Sequence, residues 1–197
     1  MTTILLIRHA AHDHVGRILT GRLPDVALSD AGRAEAANLA QQLAAEPIAV
    51  IQTSPSLRAQ QTALAIAARH NLRVEAAEPL DEIDFGEWQG RTFAELDSDP
   101  RWQRWNTHRA ATAAPGGETM TTAQERAWIH VSGLARELAG KIAVVVSHCD
   151  IIRAIIARVL GLSLDNILRF ETPPASVSRI VVGDWGARVI SLNECRA

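Results

Sequence analysis

The sequence predicts an α/β fold in three layers, a sandwich with a mostly parallel central sheet and helices on both faces. Short, wholly apolar segments such as residues 4–7 and 142–146 are typical of strands that are buried on both sides. Longer segments between them repeat apolar residues at helical spacing, and this alternation favours parallel strands with right-handed crossovers. Because the chain has 197 residues, 47% of them hydrophobic, we expect one domain over residues 1–197.

Two helices are predicted in the first half of the chain. Ser29 has the character of an N-cap, small apolar residues recur through residues 36–44, and Pro47 stops the pattern. Residues 54–70 predict the second helix, with Pro55 near its first position. Strands are expected before, between and after these helices, at residues 4–7, 48–53 and 73–76.

An inserted lid is predicted at about residues 91–119. Regular periodicity weakens here, and glycine and proline accumulate between Pro79 and Gly117. Trp102 and Trp105, three residues apart, indicate a short helix within the insertion. Their spacing favours a packing face, and the alternative is an apolar wall that selects the leaving group of a substrate.

The last third of the chain predicts two helices and a closing hairpin. One helix is expected over residues 121–139, and another follows the strand at 142–146 with an apolar stripe up to Leu160. Residues 178–182 and 188–192 alternate as the strands of a hairpin do, with glycines between them.

Side chains that can bind phosphate or take part in catalysis follow the strands that the sequence predicts to be buried. Arg8 and His9 follow the first strand, His148 follows the last parallel strand, and Ser54 and Arg58 follow another. Because ligands of open α/β sheets bind outside the carboxyl ends of the strands, we expect these side chains to meet in one crevice. Two arginines, two histidines and a helix N-terminus together indicate a phosphate site.

Several sequence blocks occur in an order that resembles the histidine phosphatase superfamily, whose fold is phosphoglycerate-mutase-like. Arg8-His9-Ala10 resembles the Arg-His-Gly signature of that family, and the likeness extends over about residues 4–160. The blocks that carry the resemblance are residues 8–10, 28–32, 54–63, 80–90, 115–118 and 145–148. The short insertion favours the phosphatase branch of the family.

The resemblance implies a nucleophile, an acid and a phosphate-binding group. His9 is expected to attack phosphorus and form a phosphohistidine, while Arg8, Arg58 and His148 surround the transferred phosphoryl group. Glu82 is expected to act as general acid, with a pKa raised by apolar surroundings. No metal and no cofactor is required, because the arginines supply the positive charge. The competing carboxyls of this segment are expected to be surface or structural residues: Asp81, Asp84 and Glu87.

The resemblance also implies substrate contacts at positions that depart from the usual family pattern. Thr20 and Gly21 are expected to contact phosphate or substrate, and Cys149 to offer its backbone N–H there. Ala10 replaces the glycine that commonly follows the nucleophile, which is tolerated unless its φ is positive.

Composition limits the partners and the location. A net charge of −2 and a pI of about 6.4 give no support to a nucleic-acid or membrane surface. Cys149 and Cys195 are the two cysteines of the sequence, which favours a reducing cytoplasm over a disulfide-linked fold. We therefore expect a small phosphomonoester as partner, and the oligomeric state is open, with a homodimer among the options.

Three alternative functions stay open at this level. A mutase of the same family would move phosphate between two hydroxyls, although the cofactor-dependent phosphoglycerate mutases are longer than this chain. A metal-dependent hydrolase would use the cluster His9, His12, Asp13 and His14, but it leaves the two arginines without roles. His12 or His14 could instead contact phosphate. The third alternative is a protein that binds phosphoesters without catalysis.

Overall fold

One six-stranded sheet organises the fold, in the strand order β3-β2-β4-β1-β5-β6. The computed structural model describes residues 1–194, so Cys195, one of the two cysteines considered above, lies outside the described residues. The strands are β1 (Thr2–Arg8), β2 (Ile48–Thr53), β3 (Val74–Ala76), β4 (Ile142–Ser147), β5 (Val177–Gly183) and β6 (Gly186–Glu194). The strands expected from the sequence, the closing hairpin included, are thereby confirmed.

The parallel part of the sheet sets where the strand ends meet. Strand β1 pairs in parallel with β4, and β2 pairs in parallel with both β4 and β3. Strands β5 and β6 continue the sheet in antiparallel pairing. Arg8 lies opposite Ser147, and Thr53 lies opposite Val146, so β1, β4 and β2 end at the same edge. The predicted, mostly parallel sheet is confirmed.

Helices cover both faces of the sheet, as the three-layer prediction requires. They are α1 (Asp30–Gln42), α2 (Leu57–His70), α3 (Phe93–Asp97), α4 (Pro100–Thr107), α5 (Met120–Glu137) and α6 (Cys149–Leu160). Leu5 and Ile7 of β1 join the core beneath α1 and α2, whereas Ile4 and Leu6 join the core beneath α5 and α6. Among residues 1–194, no helix combines the length and the apolar character that a membrane crossing needs.

The start of α2 differs from the prediction that residues 54–70 form the helix. The helix begins at Leu57, with Ser56 as its N-cap residue. Pro55 disfavours helical geometry at Ser54, the residue before it. The Ser54 hydroxyl instead accepts a hydrogen bond from the Ser56 backbone N–H at 3.1 Å. Ser54 is thereby held in a turn at the sheet edge, and Arg58 still lies in the first helical turn.

The insertion at residues 91–119 packs into the same core as α5 and α6. The Trp105 ring is fully buried, and its centroid lies 6.0 Å from that of Trp88 in an edge-to-face contact. The Trp102 ring meets Trp88 in the same way at 5.2 Å. The packing face predicted for the two tryptophans is confirmed. Movement of the insertion as a lid stays a prediction.

Candidate active site

The residues predicted to form the catalytic group converge on one cleft at the carboxyl edge of the sheet. Arg8, His9, Arg58 and Glu82 all line this cleft, which has a volume of about 450 Å³ and so is of the size that small ligands occupy. His148 is fully buried and lies beside them, with its ring centroid 5.2 Å from that of His9. Three further predicted contacts also line the cleft: Thr20, Gly21 and Cys149.

The His9 ring has the tautomer and charge that a nucleophile needs. Its Nδ1 lies 2.9 Å from the carbonyl oxygen of Ala10, which can only accept, so Nδ1 carries the proton and Nε2 keeps its lone pair. Burial, followed by the nearby His148 and the two arginines of the cleft, holds the pKa of His9 well below its ordinary value. The imidazole is therefore neutral near pH 7.

Ala10 fits the position after His9 without strain. It does not adopt a positive φ, which was the condition under which its Cβ would be unfavourable. Its side chain is buried against Leu28 and Ala36, and its backbone N–H donates to the Thr62 hydroxyl at 3.0 Å. The departure from glycine therefore leaves the turn intact.

Arg58 presents unpaired donors inside the cleft. Its side chain is 1% exposed, and Nη2 donates to the carbonyl oxygen of Gly21 at 2.7 Å and to Nδ1 of His148 at 3.1 Å. Within residues 1–194, its Nε and Nη1 are buried with no partner, as is Nε of Arg8, whose Nη1 donates to the Thr172 carbonyl. Buried guanidinium donors without acceptors are costly, and an anion such as phosphate would satisfy them.

Glu82 has the raised pKa that a general acid requires near neutrality. Burial, followed by the negative charge of Asp150, raises the pKa of Glu82 to about 8, against the opposing hydrogen bond from Ile83 and the two arginines. The apolar side chains that follow it in the sequence, Ile83, Phe85 and Trp88, are buried. The contribution of Asp150 was not predicted.

Ser54 lies next to His148, and Asp81 lies next to Ser54. The His148 Nε2 lies 2.8 Å from the Ser54 hydroxyl oxygen, and that hydroxyl donates to Oδ1 of Asp81 at 2.8 Å. Sequence reasoning placed Ser54 at this edge without a role and treated Asp81 as a surface or structural residue. The Asp81 side chain is only 14% exposed, so of these two options the structure agrees with the structural residue. The sequence feature that could have indicated a role for Asp81 in the site is its position directly before Glu82.

The loop residues of the cleft are placed by backbone geometry. Gly21 has a φ of +49°, in the left-handed region that favours glycine, and a Cβ there would also displace the Gln89 side chain. Cys149 lines the cleft, but burial, followed by the charge of Asp150, raises the pKa of its thiol to about 11. Cys149 is therefore a neutral thiol near pH 7, which disfavours a role as nucleophile.

The histidine cluster near the N-terminus does not form the metal site of the alternative interpretation. Across residues 1–194, no three His, Cys, Asp or Glu side chains are grouped as metal ligands. The His12 ring lies 5.3 Å from the His9 ring, and its Nδ1 accepts from the His14 backbone N–H. His12 lines the cleft, so a phosphate contact from it stays a prediction.

The far end of the cleft carries paired charges. Arg109 is 5% exposed, and its Nη1 lies 3.0 Å from Oδ2 of Asp150. Arg153 lies 3.7 Å from the other oxygen of Asp150 and 3.2 Å from Glu171. The charges of the two arginines and of the two carboxylates, Asp150 and Glu171, therefore sum to zero. Trp102 adds an apolar wall to the same cleft.

Asp150→Asn is expected to shift the alkaline limb of the kcat profile to lower pH. The substitution removes the charge that helps raise the pKa of Glu82, so the proton on Glu82 is lost at lower pH. We expect a loss in kcat of about threefold at pH 8 and little change at pH 6. Asp165→Asn, which keeps the acceptor for the Ala110 N–H, is the matched control. An unshifted limb in Asp150→Asn would contradict the assignment of Glu82.

Similar proteins share this fold over nearly the whole chain. Phosphoserine phosphatase 1 of Hydrogenobacter thermophilus is 32% identical over 197 residues, covering 98% of this chain and 92% of that protein. Glucosyl-3-phosphoglycerate phosphatase of Mycobacterium tuberculosis is 32% identical over 173 residues, covering 83% and 77%. The solved structure of a mycobacterial glucosyl-3-phosphoglycerate phosphatase superposes with a TM-score of 0.87 at 27% identity, covering 98% and 99%. Phosphoserine phosphatase from Entamoeba histolytica, solved with phosphoserine, gives 0.89 at 25% identity, covering 98% of each chain.

The family assignment follows from the sequence match and the cleft together. Residues 4–195 match the family described as histidine phosphatase superfamily (branch 1). The relatives named above are phosphatases, and the arginine-lined cleft with its neutral histidine is suited to the same chemistry. On this evidence the chain belongs to branch 1 of the histidine phosphatase superfamily.

Proposed function

We propose that this chain hydrolyses small phosphate monoesters through a covalent phosphohistidine on His9. The observation that carries the proposal is the neutral His9 ring with a free Nε2 beside the unpaired donors of Arg58 and Arg8. The names of the relatives support the same reaction class. The arginines supply the positive charge for phosphoryl transfer, so the reaction is expected to proceed without a metal ion.

Two proton-balanced steps complete the reaction. In the first, Nε2 of His9 bonds to phosphorus, the ester P–O bond breaks, and the leaving oxygen takes the proton of Glu82. In the second, a water molecule attacks the phosphorus of the phosphohistidine, Glu82 takes the proton of the water, and phosphate leaves as the P–N bond breaks. Arg8 and Arg58 hold the phosphoryl oxygens throughout. The enzyme ends as it began.

The neutral far end of the cleft favours leaving groups without net charge. Arg8 and Arg58 balance a phosphate dianion, whereas Arg109 and Arg153 are already paired with carboxylates. A leaving group with an unpaired carboxylate would therefore add one uncompensated charge beside Asp150, and a zwitterionic or uncharged one would not. Phosphoserine, which the first relative is named for, has a zwitterionic leaving group.

A matched pair of substrates tests the proposal. Phosphoserine and 3-phosphoglycerate differ at one position, where an ammonium replaces a hydroxyl. We expect kcat/KM for phosphoserine to be about tenfold higher or more, and p-nitrophenyl phosphate to be hydrolysed both with and without a chelator. Equal turnover of the pair would contradict the charge argument. No release of phosphate from any of the three would favour the binding-only alternative, and stimulation by a bisphosphate would favour the mutase.

The proposal includes a reducing, cytoplasmic setting. It is supported by Cys149, a free cysteine that is largely buried in the cleft wall. Oxidation of that thiol would add polar atoms close to Asp150 and would disturb the cleft. Mass spectrometry of the intact protein, isolated under non-reducing conditions, is expected to find Cys149 unmodified.

A further inference from the structure

The segment that carries Glu82 is irregular backbone between two short 3₁₀ turns, Glu78–Leu80 and Gly86–Trp88. Neither a helix nor a sheet ladder therefore supplies hydrogen bonds to its backbone. Among residues 1–194, the Glu82 carboxyl accepts a hydrogen bond from the N–H of Ile83, at 2.9 Å. Because the carboxyl is held by its own backbone, its direction depends on the contacts that fix that backbone.

Two arginines bind the carbonyl oxygen of Glu82. Arg126, on α5, donates to it through Nη2 at 3.1 Å, and Arg22 donates to it through Nε at 2.8 Å. Nη1 of Arg126 also donates to the Pro79 carbonyl at 2.7 Å, so one guanidinium binds the acid-bearing segment at two places. Hydrogen bonds from charged donors are stronger than those from neutral ones, and this part of the backbone is therefore firmly held.

Glu118 allows two guanidinium groups to meet at one carbonyl oxygen. Its Oε1 accepts from Nη2 of Arg126 at 2.6 Å and from Nη2 of Arg22 at 2.9 Å, and its Oε2 accepts from Nε of Arg126 at 3.1 Å. The pair with Arg126 is therefore bidentate, the geometry that suits arginine and a carboxylate best. Without the negative charge of Glu118, the two arginines would repel each other at this distance.

Glu118 also contacts the acid-bearing segment on the other side of Glu82. Its Oε1 accepts from the Asp84 N–H at 3.0 Å, and its own N–H donates to the Asp84 carbonyl at 2.9 Å. The two segments cross closely, since a Cβ at Gly117 would lie 2.1 Å from the Asp84 carbonyl oxygen. Arg126 and Glu118 therefore bind the backbone before Glu82, at Glu82 and after it.

We propose that Arg126 and Glu118 are positioning residues, which hold the backbone of Glu82 so that its carboxyl meets the leaving-group oxygen. Glu82 lines the cleft, whereas Arg126 and Glu118 lie outside its walls and bind backbone. The inference rests on the proposed function, in which Glu82 is the general acid. A proton donor that is misplaced by about 1 Å can cost on the order of 100-fold in rate, while the phosphate-binding arginines keep their places.

Arg126→Met tests the proposal through the dependence on the leaving group. We expect kcat/KM to fall about tenfold or more for the faster of phosphoserine and 3-phosphoglycerate, and less than about threefold for p-nitrophenyl phosphate, whose leaving group needs little protonation. The inhibition constant of inorganic phosphate is expected to stay within about twofold, because Arg8 and Arg58 are untouched. Equal losses for alkyl and aryl substrates, or a matching loss of phosphate affinity, would overturn the proposal.

A double-mutant cycle tests whether Arg126 acts through Glu82. In the Glu82→Gln background, Arg126→Met is expected to cause no further loss of kcat/KM for the alkyl phosphate, because the proton is already missing. A general loosening of the fold would lower kcat/KM in either background and would overturn the proposal. Glu118→Gln is the second variant, in case Arg126→Met folds poorly. It keeps an acceptor for the Asp84 N–H but lacks the charge, and we expect the same substrate pattern at about three- to tenfold.

Arg136→Met is the matched control, the same change in the last turn of the same helix. Arg136 lines a separate groove beside Met1, and we expect less than about twofold change in kcat/KM for either substrate. Circular dichroism confirms that each variant is folded. If Glu82→Gln alone left the ratio of alkyl to aryl turnover unchanged, the general acid of the proposed function and this inference would both fail. An altered ratio in Glu82→Gln, with an additive loss from Arg126→Met, would overturn this inference alone.

Discussion

His9→Ala is expected to lower kcat/KM by about 10⁴-fold or more, with the fold retained. The substitution removes the nitrogen that is to bond with phosphorus. His12 also lines the cleft but is not expected to replace it, because its Nδ1 already accepts from the His14 backbone N–H. Among the residues that the structure describes, the His9 ring makes one hydrogen bond, to the neighbouring Ala10 carbonyl, so its loss opens little of the structure. Steady-state kinetics with p-nitrophenyl phosphate, together with circular dichroism, measure the two parts of the prediction.

His12→Ala is the matched control for this experiment. His12 is also buried, and its ring lies 5.3 Å from that of His9 in the same cleft. We expect it to lower kcat/KM less than about tenfold, because it neither attacks phosphorus nor protonates the leaving group. Added imidazole is expected to restore part of the activity of His9→Ala. If His12→Ala lost as much activity as His9→Ala, the nucleophile assignment would be in error.

Glu82→Gln is expected to lower kcat by about 10²- to 10⁴-fold for alkyl phosphates. The glutamine keeps the shape of the side chain and the acceptor for the Ile83 N–H, but it has no proton to give to the leaving oxygen. Aryl phosphates have better leaving groups and need less protonation, so their loss in the first step is expected to be smaller. Equal losses for alkyl and aryl substrates would contradict the role of general acid.

The same variant is expected to be more stable than the wild type near pH 7. The pKa of Glu82 is raised from 4.5 to about 8 in the folded protein, so the folded chain keeps a proton that the unfolded chain loses in this range. The wild type therefore loses stability as pH rises through this window, by on the order of 3 kcal/mol at pH 7. In urea unfolding, the free energies of unfolding of Glu82→Gln and the wild type should be equal near pH 4, and the variant should become increasingly more stable than the wild type as the pH rises above about 4.

The placement of the proposed catalytic residues was predictable because it depends on local sequence and sheet topology. Arg8, His9 and His148 directly follow apolar strands, and parallel pairing of those strands brings their ends to one edge. Arg58 follows from its place in the first turn of the next helix. These positions are set by a few residues of sequence each, and the family resemblance points to the same ones.

The carboxylates that alter the pKa values of the proposed catalytic residues were not predictable from the sequence. Asp150 acts on Glu82 from the start of another helix, and Asp81 reaches His148 through a serine far away in sequence. Both effects depend on side-chain directions and on burial, which periodicity does not report. The start of α2 was misplaced for a similar reason, because the turn at Ser54 is held by its own side chain.

The most direct test of this account is to trap the covalent intermediate. Wild-type enzyme is mixed with a rapidly hydrolysed phosphomonoester and quenched in alkali, in which phosphohistidine survives. Peptide mass spectrometry is then expected to find one phosphoryl group on His9 and none in His9→Ala. Phosphate carried on any other residue, or a fully active enzyme that never carries phosphate, would contradict the claim that Nε2 of His9 attacks phosphorus.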